Sequence, residues 1–291
     1  MDRSKCIACL MAAVALVGCS RSQRPITVGS KTSTEQAILG EIVAQHIEKK
    51  LQTTVVRRLR MGGSLLLHQS LMAEQIDVYP EYTGAALTVI LRLPPTPDQD
   101  VAQERLKRDY EALHLVWMAP LGCTGEFAMV VRGADARAHK IETLSDATQY
   151  KPGWSVGVAE EFMDRADGYA MLMRTYNLPV NGAPKLMPAA ELYRALQKKE
   201  VGMVAGSATD ELPAAADAKA LRDDKGAFTP DRAGLAVRAA ALDQNPGLRQ
   251  ALEQLIGKFS NQALRKLNHE VDGKHRRIPD VAKEFISQAG L

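Results

Sequence analysis

The chain is poor in aromatic side chains, with 5% of its residues Phe, Trp or Tyr, and poorer still in cysteine, with 4 among 291 residues. Cys6, Cys9 and Cys19 fall at the N-terminal end, which leaves Cys123 alone in the body of the chain. Neither a disulfide framework nor a cysteine-rich metal site can be built there. The six histidines (His46, His68, His114, His139, His269 and His275) are scattered, without an HExxH or a close pair, so no metal centre is expected. An excess of one charge is also missing, since 37 basic residues face 34 acidic ones for a net +3. The basic pairs Lys49-Lys50, Arg57-Arg58 and Arg276-Arg277 have no aromatics between them and read as solvated faces, which argues against a nucleic-acid partner. No Gly-rich phosphate loop, GxSxG elbow or dinucleotide fingerprint occurs at a strand-to-helix turn, so no cofactor is expected and no reactive constellation supports an enzyme. Glu160-Glu161, opening a helical stretch, suits the helix dipole better than acid-base chemistry.

The apolar run over residues 7–17 is too short for a permanent membrane-spanning helix. It follows the charged residues Asp2, Arg3 and Lys5 and ends in Leu16-Val17-Gly18-Cys19, the pattern of an export signal cleaved before a lipid-accepting cysteine. Residues 1–18 are therefore expected to be a lipoprotein signal peptide, Cys19 the lipidation site, and residues 19–24 a flexible polar tether. The rest, about 270 residues, is enough for two lobes of ordinary size. It is expected as a lipid-anchored monomer in the periplasm or at the cell exterior.

Beyond the tether, short β-type runs alternate with amphipathic helical stretches. Residues 26–29 read as a strand, and Thr32 with Glu35, or Ser33 with Gln36, has capping-box spacing. Ile38, Ile42, Val43 and Ile47 give the helix that follows an apolar face. Val55-Val56, a turn at Gly62-Gly63, a helix over 65–74 and a strand over 76–79 complete a first α/β unit. After Pro94, Pro95 and Pro97 the rhythm repeats. Strands are expected over 127–131, 155–158 and 201–205, and helices over 161–176 and 189–198. A strand over 233–237 precedes three helical patterns, 246–257, 260–271 and 279–289, placed to pack back onto the first unit.

Gly29-Ser30-Lys31, Thr34-Glu35-Gln36-x-Ile38-Leu39-Gly40-Glu41 and Ile76-Asp77-Val78-Tyr79-Pro80-Glu81-Tyr82-Thr83-Gly84 together resemble the glycine betaine/choline/carnitine-binding proteins of osmoprotectant ABC importers. Glu161-Phe162-x-x-Arg165-x-Asp167-Gly168, Asp223-Asp224-Lys225, Leu267-Asn268-x-x-Val271-Asp272 and Asp280-Val281-Ala282-x-x-Phe285 extend the likeness over nearly the whole chain. The resemblance implies an α/β, two-lobed periplasmic-binding-protein fold, type II-like and hinged by two crossing strands. Lobe one is expected at residues 25–122 and 233–291, and lobe two at 123–232. The implied function is capture of a small zwitterionic or cationic osmolyte for delivery to an ABC permease and its ATPase.

The family grips a quaternary ammonium with ring faces, which attract a cation that cannot donate hydrogen bonds. Tyr82 matches one ring of that cage, but the others are thinned out. Cys123-Thr124-Gly125-Glu126-Phe127 stands where the family has Phe-Asn-Asn-Thr-Tyr, Gly206 stands at an often aromatic position, and Asp231 at a frequent tyrosine. Lys31, with Thr32 and Ser33 beside it, and Arg165 match positions near the solute's anionic end. The expected ligand set is thus Lys31, Thr32, Ser33, Tyr82, Glu126, Phe127, Arg165, Gly206 and Asp231. With carboxylates in place of rings, an amine-bearing or hydrogen-bonding zwitterion is the alternative to glycine betaine. Arg165 has its own alternative, an ion pair with Asp164, Asp167 or a glutamate, and Tyr82 another as a core ring beside Pro80. An exported α/β enzyme and a sensing or scaffolding lipoprotein remain as other functional classes.

Overall fold

Residues 25–96, 98–207, 209, 217–228 and 231–291 are described by the computed structural model. The signal segment 1–18, Cys19 and the tether 19–24 lie outside the described residues. Ten strands form in chain order: β1 (Thr27–Gly29), β2 (Val56–Arg58), β3 (Val78–Tyr82), β4 (Leu115–Trp117), β5 (Phe127–Arg132), β6 (Val156–Val158), β7 (Lys185–Leu186), β8 (Met203–Ser207), β9 (Ala218–Ala220) and β10 (Ala233–Arg238). They make two five-stranded sheets, ordered β2-β1-β3-β10-β4 and β7-β6-β8-β5-β9. The two orders follow one plan. In each, the fourth strand runs antiparallel to its neighbours: β10 against β3 and β4, and β5 against β8 and β9.

Those two antiparallel strands are the ones entered directly from the crossing segments. Ahead of β5, Thr124 forms a bridge with Arg232, and Gly125 N–H donates to the Asp231 carbonyl at 2.7 Å. Ahead of β10, Ala233 N–H donates to the Cys123 carbonyl at 3.0 Å. Two crossing strands therefore join the lobes, as the sequence implied.

Each sheet has helices on both faces, the arrangement that hides both sides of a largely parallel sheet. Over the first sheet, the helix Thr34–Leu51 buries residues around most of its circumference, as a helix inside a layer must. It packs with the helices Leu248–Glu253, Asn261–Asn268 and Ile278–Ala289, so the C-terminal helices do return to the first unit. The opposite face carries Ser64–Met72 and Gln99–Glu111, closed by Tyr79, Tyr110 and Trp117. In the second lobe Trp154, Phe162 and Leu172 fill one side, and Leu192, Leu196 and Val204 the other.

Two expected helices of the second α/β unit differ in form. The helix expected over 161–176 is broken into Glu160–Asp164 and Tyr169–Tyr176, with Arg165 extended between them at φ −76°, ψ 136°. Gly168 permits the break, because a Cβ there would collide with the Phe162 carbonyl. The helix expected over 189–198 begins as a 3-10 turn, Ala189–Glu191, before the α-helix Leu192–Gln197.

His46 is wholly buried within the first lobe's core layer, with Nε2 at 2.9 Å from the Ala251 carbonyl. Burial depresses its pKa, and Lys50 and Lys49 add to this against the opposing carbonyl. The unfolded chain therefore takes up protons at this residue that the folded chain refuses. Stability is full above the unfolded value of about 6.5 and falls as pH drops below it. Urea unfolding between pH 7.5 and pH 5 should show this loss, and His46→Gln should flatten it; an unchanged slope in the variant would refute the assignment.

Candidate ligand-binding site

The parallel strands of both lobes end at the crossing segments, so side chains just past those ends face one another across the cleft. Lys31 follows β1 and is 4% exposed. Its ammonium donates to Glu81 Oε1 at 2.7 Å, to Ser64 Oγ at 3.4 Å and, across the cleft, to Glu161 Oε1 at 3.1 Å. Burial pulls its pKa down, but Glu161 and Glu81 outweigh that and hold it above the usual lysine value, so it stays charged. Its Nζ also lies 5.6 Å from the centre of the Tyr82 ring. Tyr82, at the end of β3, donates its hydroxyl to Glu35.

Arg165 is 3% exposed and fully engaged. Nε and Nη2 make a forked pair with Asp167 at 2.8 and 2.7 Å, while Nη1 bonds Asp231. Its guanidinium carbon lies 4.7 Å from the centre of the Phe127 ring. Asp231 sits on the crossing segment and is wholly buried. Besides Arg165 it receives the Gly84 N–H and the Thr83 hydroxyl, the latter at 3.0 Å, which ties lobe two to the end of β3. Burial pushes its carboxyl above the usual range, against the pull of Arg165 and the Gly84 N–H. Gly84 has to be glycine here: a Cβ would collide with Arg165 Nη2.

Of the residues expected from sequence, Lys31, Tyr82, Phe127, Arg165 and Asp231 are thus brought together. Arg165 takes the alternative of pairing with Asp167 and not Asp164, and pairs with Asp231 as well. Tyr82 lies in the core of the first lobe and against the cleft at once. Thr32 is exposed and only joins backbone to Gly62 and Arg60, and Ser33 caps the helix Thr34–Leu51 through the Gln36 N–H. Gly206 is buried in β8 opposite Ala128, and Glu126 is half-buried beside Phe127; no hydrogen bond among the described residues draws these four into the cluster.

Sequence reasoning left Glu35, Glu81, Glu161, Asp167, Thr209 and Asn268 out of the ligand set. Glu81 carried a usable signal, being an acid in a strand of five buried residues, where a charge needs a partner. The aromatic floor is a trio, with Phe127 edge-on to Phe162 at 4.8 Å and to Phe228 at 6.0 Å. Asp223 holds Phe228 in it by accepting the Phe228 N–H at 2.8 Å and the Tyr176 hydroxyl. Cys123 is buried beside the cleft, and burial with Glu35 nearby pushes its thiol up to about 12, which makes it a packing residue, not a nucleophile.

The family model of the substrate binding domain of ABC-type glycine betaine transport systems matches residues 24–288. The chain is 30% identical over 92% of its length to an ergothioneine transport permease/ergothioneine binding protein of Helicobacter pylori, of which it spans about half, 48%. It is 27% identical to a carnitine transport binding protein of Listeria monocytogenes, covering 92% of this chain and 87% of that one. A crystal structure of a glycine betaine/carnitine/choline ABC transporter superposes with a TM-score of 0.75 at 25% identity, covering 90% of this chain and 98% of the other.

Proposed function

Because the chain belongs to the family of substrate binding domains of ABC-type glycine betaine transport systems, we propose that its cleft captures a small betaine-type zwitterion and presents it to the permease and ATPase of an importer. The charge balance of the cleft carries this reading. Among the described residues, Glu35, Glu81, Glu161, Asp167 and Asp231 surround two cations, Lys31 and Arg165, an acidic excess that favours a positively charged group. The ring faces are less free to serve it, since Lys31 lies over Tyr82 and Arg165 over Phe127. A solute with hydrogen-bonding groups besides its ammonium suits such a site better than glycine betaine. The relatives named for ergothioneine and carnitine support that choice, both solutes being betaines with further polar groups.

We assign lobe one to residues 25–122 and 233–291 and lobe two to 123–232, with closure about the crossing segments trapping the solute. We further assign residues 1–18 as the export signal and Cys19 as the lipid anchor that holds the protein outside the cytoplasmic membrane; an acyl mass on the N-terminal peptide decides this.

Calorimetric titration tests the solute class. Ergothioneine is expected to bind at least roughly 10-fold tighter than glycine betaine, a margin of about 1.4 kcal/mol. Tight glycine betaine binding that survives Asp231→Ala but is lost in Tyr82→Ala would overturn the reading and restore an aromatic cage as the recognition element.

A further inference from the structure

Asn268 ends the helix Asn261–Asn268 in the C-terminal layer and is 9% exposed. Its amide nitrogen donates to Glu35 Oε2 at 3.3 Å and to the Thr209 carbonyl at 3.2 Å. Thr209 follows β8 of the second lobe, whereas Glu35 belongs to the first turn of the helix Thr34–Leu51. One side-chain amide therefore holds an acceptor from each lobe. With Tyr82 donating to Glu35, a chain of hydrogen bonds runs from the Tyr82 ring to lobe two.

Two acceptors on one side also fix which way the amide points. A flip would turn its oxygen onto a carboxylate and a carbonyl and lose both bonds. Oδ1 is consequently a buried acceptor with no donor among the described residues. Such an oxygen is destabilising where it stays unsatisfied, and a site built around one rejects the analogue that lacks the donor.

We propose that Asn268 is a specificity-determining residue whose Oδ1 accepts a hydrogen bond from a solute N–H, selecting betaines that carry an N–H donor besides the quaternary ammonium. This rests on the reading of the cleft as the solute site and narrows its solute class. A trimethylammonium has no hydrogen to give, so glycine betaine leaves Oδ1 unsatisfied. A betaine bearing an imidazole-type ring N–H satisfies it.

The test is calorimetric titration of ergothioneine and of glycine betaine into the wild-type protein and into Asn268→Leu, which keeps the branched shape and removes the hydrogen bonds. Asn268→Ser, a smaller change, serves as the second variant should the leucine lower the melting temperature. The wild type should prefer ergothioneine, and, whatever both solutes lose with the link between the lobes, each variant should cost ergothioneine roughly 10–100-fold more than it costs glycine betaine. Equal losses for both solutes would show a purely structural role and overturn the proposal. So would unchanged ergothioneine affinity, or a wild-type preference for glycine betaine. Binding of neither solute by the wild type would instead overturn the reading of the cleft, and this inference with it.

Discussion

Replacing Arg165 with alanine is expected to lower the free energy of unfolding by about 3–5 kcal/mol, the range for removing one partner of a buried ion pair. The size follows from what would be left behind. Asp167 and Asp231 have side chains only 1% exposed, and the guanidinium between them supplies the forked pair to one and a single bond to the other. Without it, two carboxylates face each other in a region that water does not reach. Arg165→Lys should recover only a minority of the loss, because one ammonium cannot reproduce a planar fork and a third bond at once. Urea titrations compared at a common slope give the result. A change below about 1 kcal/mol, the level of an exposed pair, would show that both carboxylates are hydrated and would sink the buried triad.

The same triad shows which parts of the fold and site were legible in the sequence. Strands with β-branched residues and a buried pattern, such as Thr27–Gly29 and Val156–Val158, announce themselves. The edge strands Lys185–Leu186 and Ala218–Ala220 do not, being short, partly or fully exposed and without β-branched residues. The break at Arg165 was hidden for a different reason. The apolar spacing from Phe162 to Tyr176 suits one continuous helix, and what ends it is a tertiary event: a guanidinium drawn to Asp231 from another part of the chain as well as to its neighbour Asp167, next to a glycine that tolerates the close approach. Arg165 with Asp167 could be read from spacing, since they stand two residues apart. The partners of Lys31 could not, because Glu81 lies 50 positions away and is brought in by the pairing of β1 with β3, while Glu161 lies 130 positions away and is brought in only where the two lobes meet. Resemblance located Lys31, Tyr82 and Arg165. It could not reveal that the protein's own cations lie over the rings, a consequence of packing alone.

Gly84→Ala should separate folding from closure. Gly84 is the middle residue of the short helix Thr83–Ala85, where alanine is by intrinsic propensity the better residue, so the fold by itself is not expected to suffer. The added methyl would meet Arg165 Nη2 and stand 3.0 Å from Asp231 Oδ2. Under the lobe assignment proposed above, Arg165 belongs to lobe two, so closure is what is expected to press its Nη2 onto the added methyl. The arginine is also poorly placed to yield, since its far end is fixed in the fork with Asp167. The variant should therefore unfold in urea like the wild type when solute is absent, yet bind solute roughly 100-fold more weakly, a loss of about 2.8 kcal/mol. It should also lose the rise in melting temperature that saturating solute gives the wild type by linkage. Solution scattering should show the wild type becoming more compact with solute while Gly84→Ala keeps one profile. If the variant binds within about 3-fold of wild type, less than 0.7 kcal/mol, the contact between Gly84 and Arg165 is not part of the closed, solute-bound form.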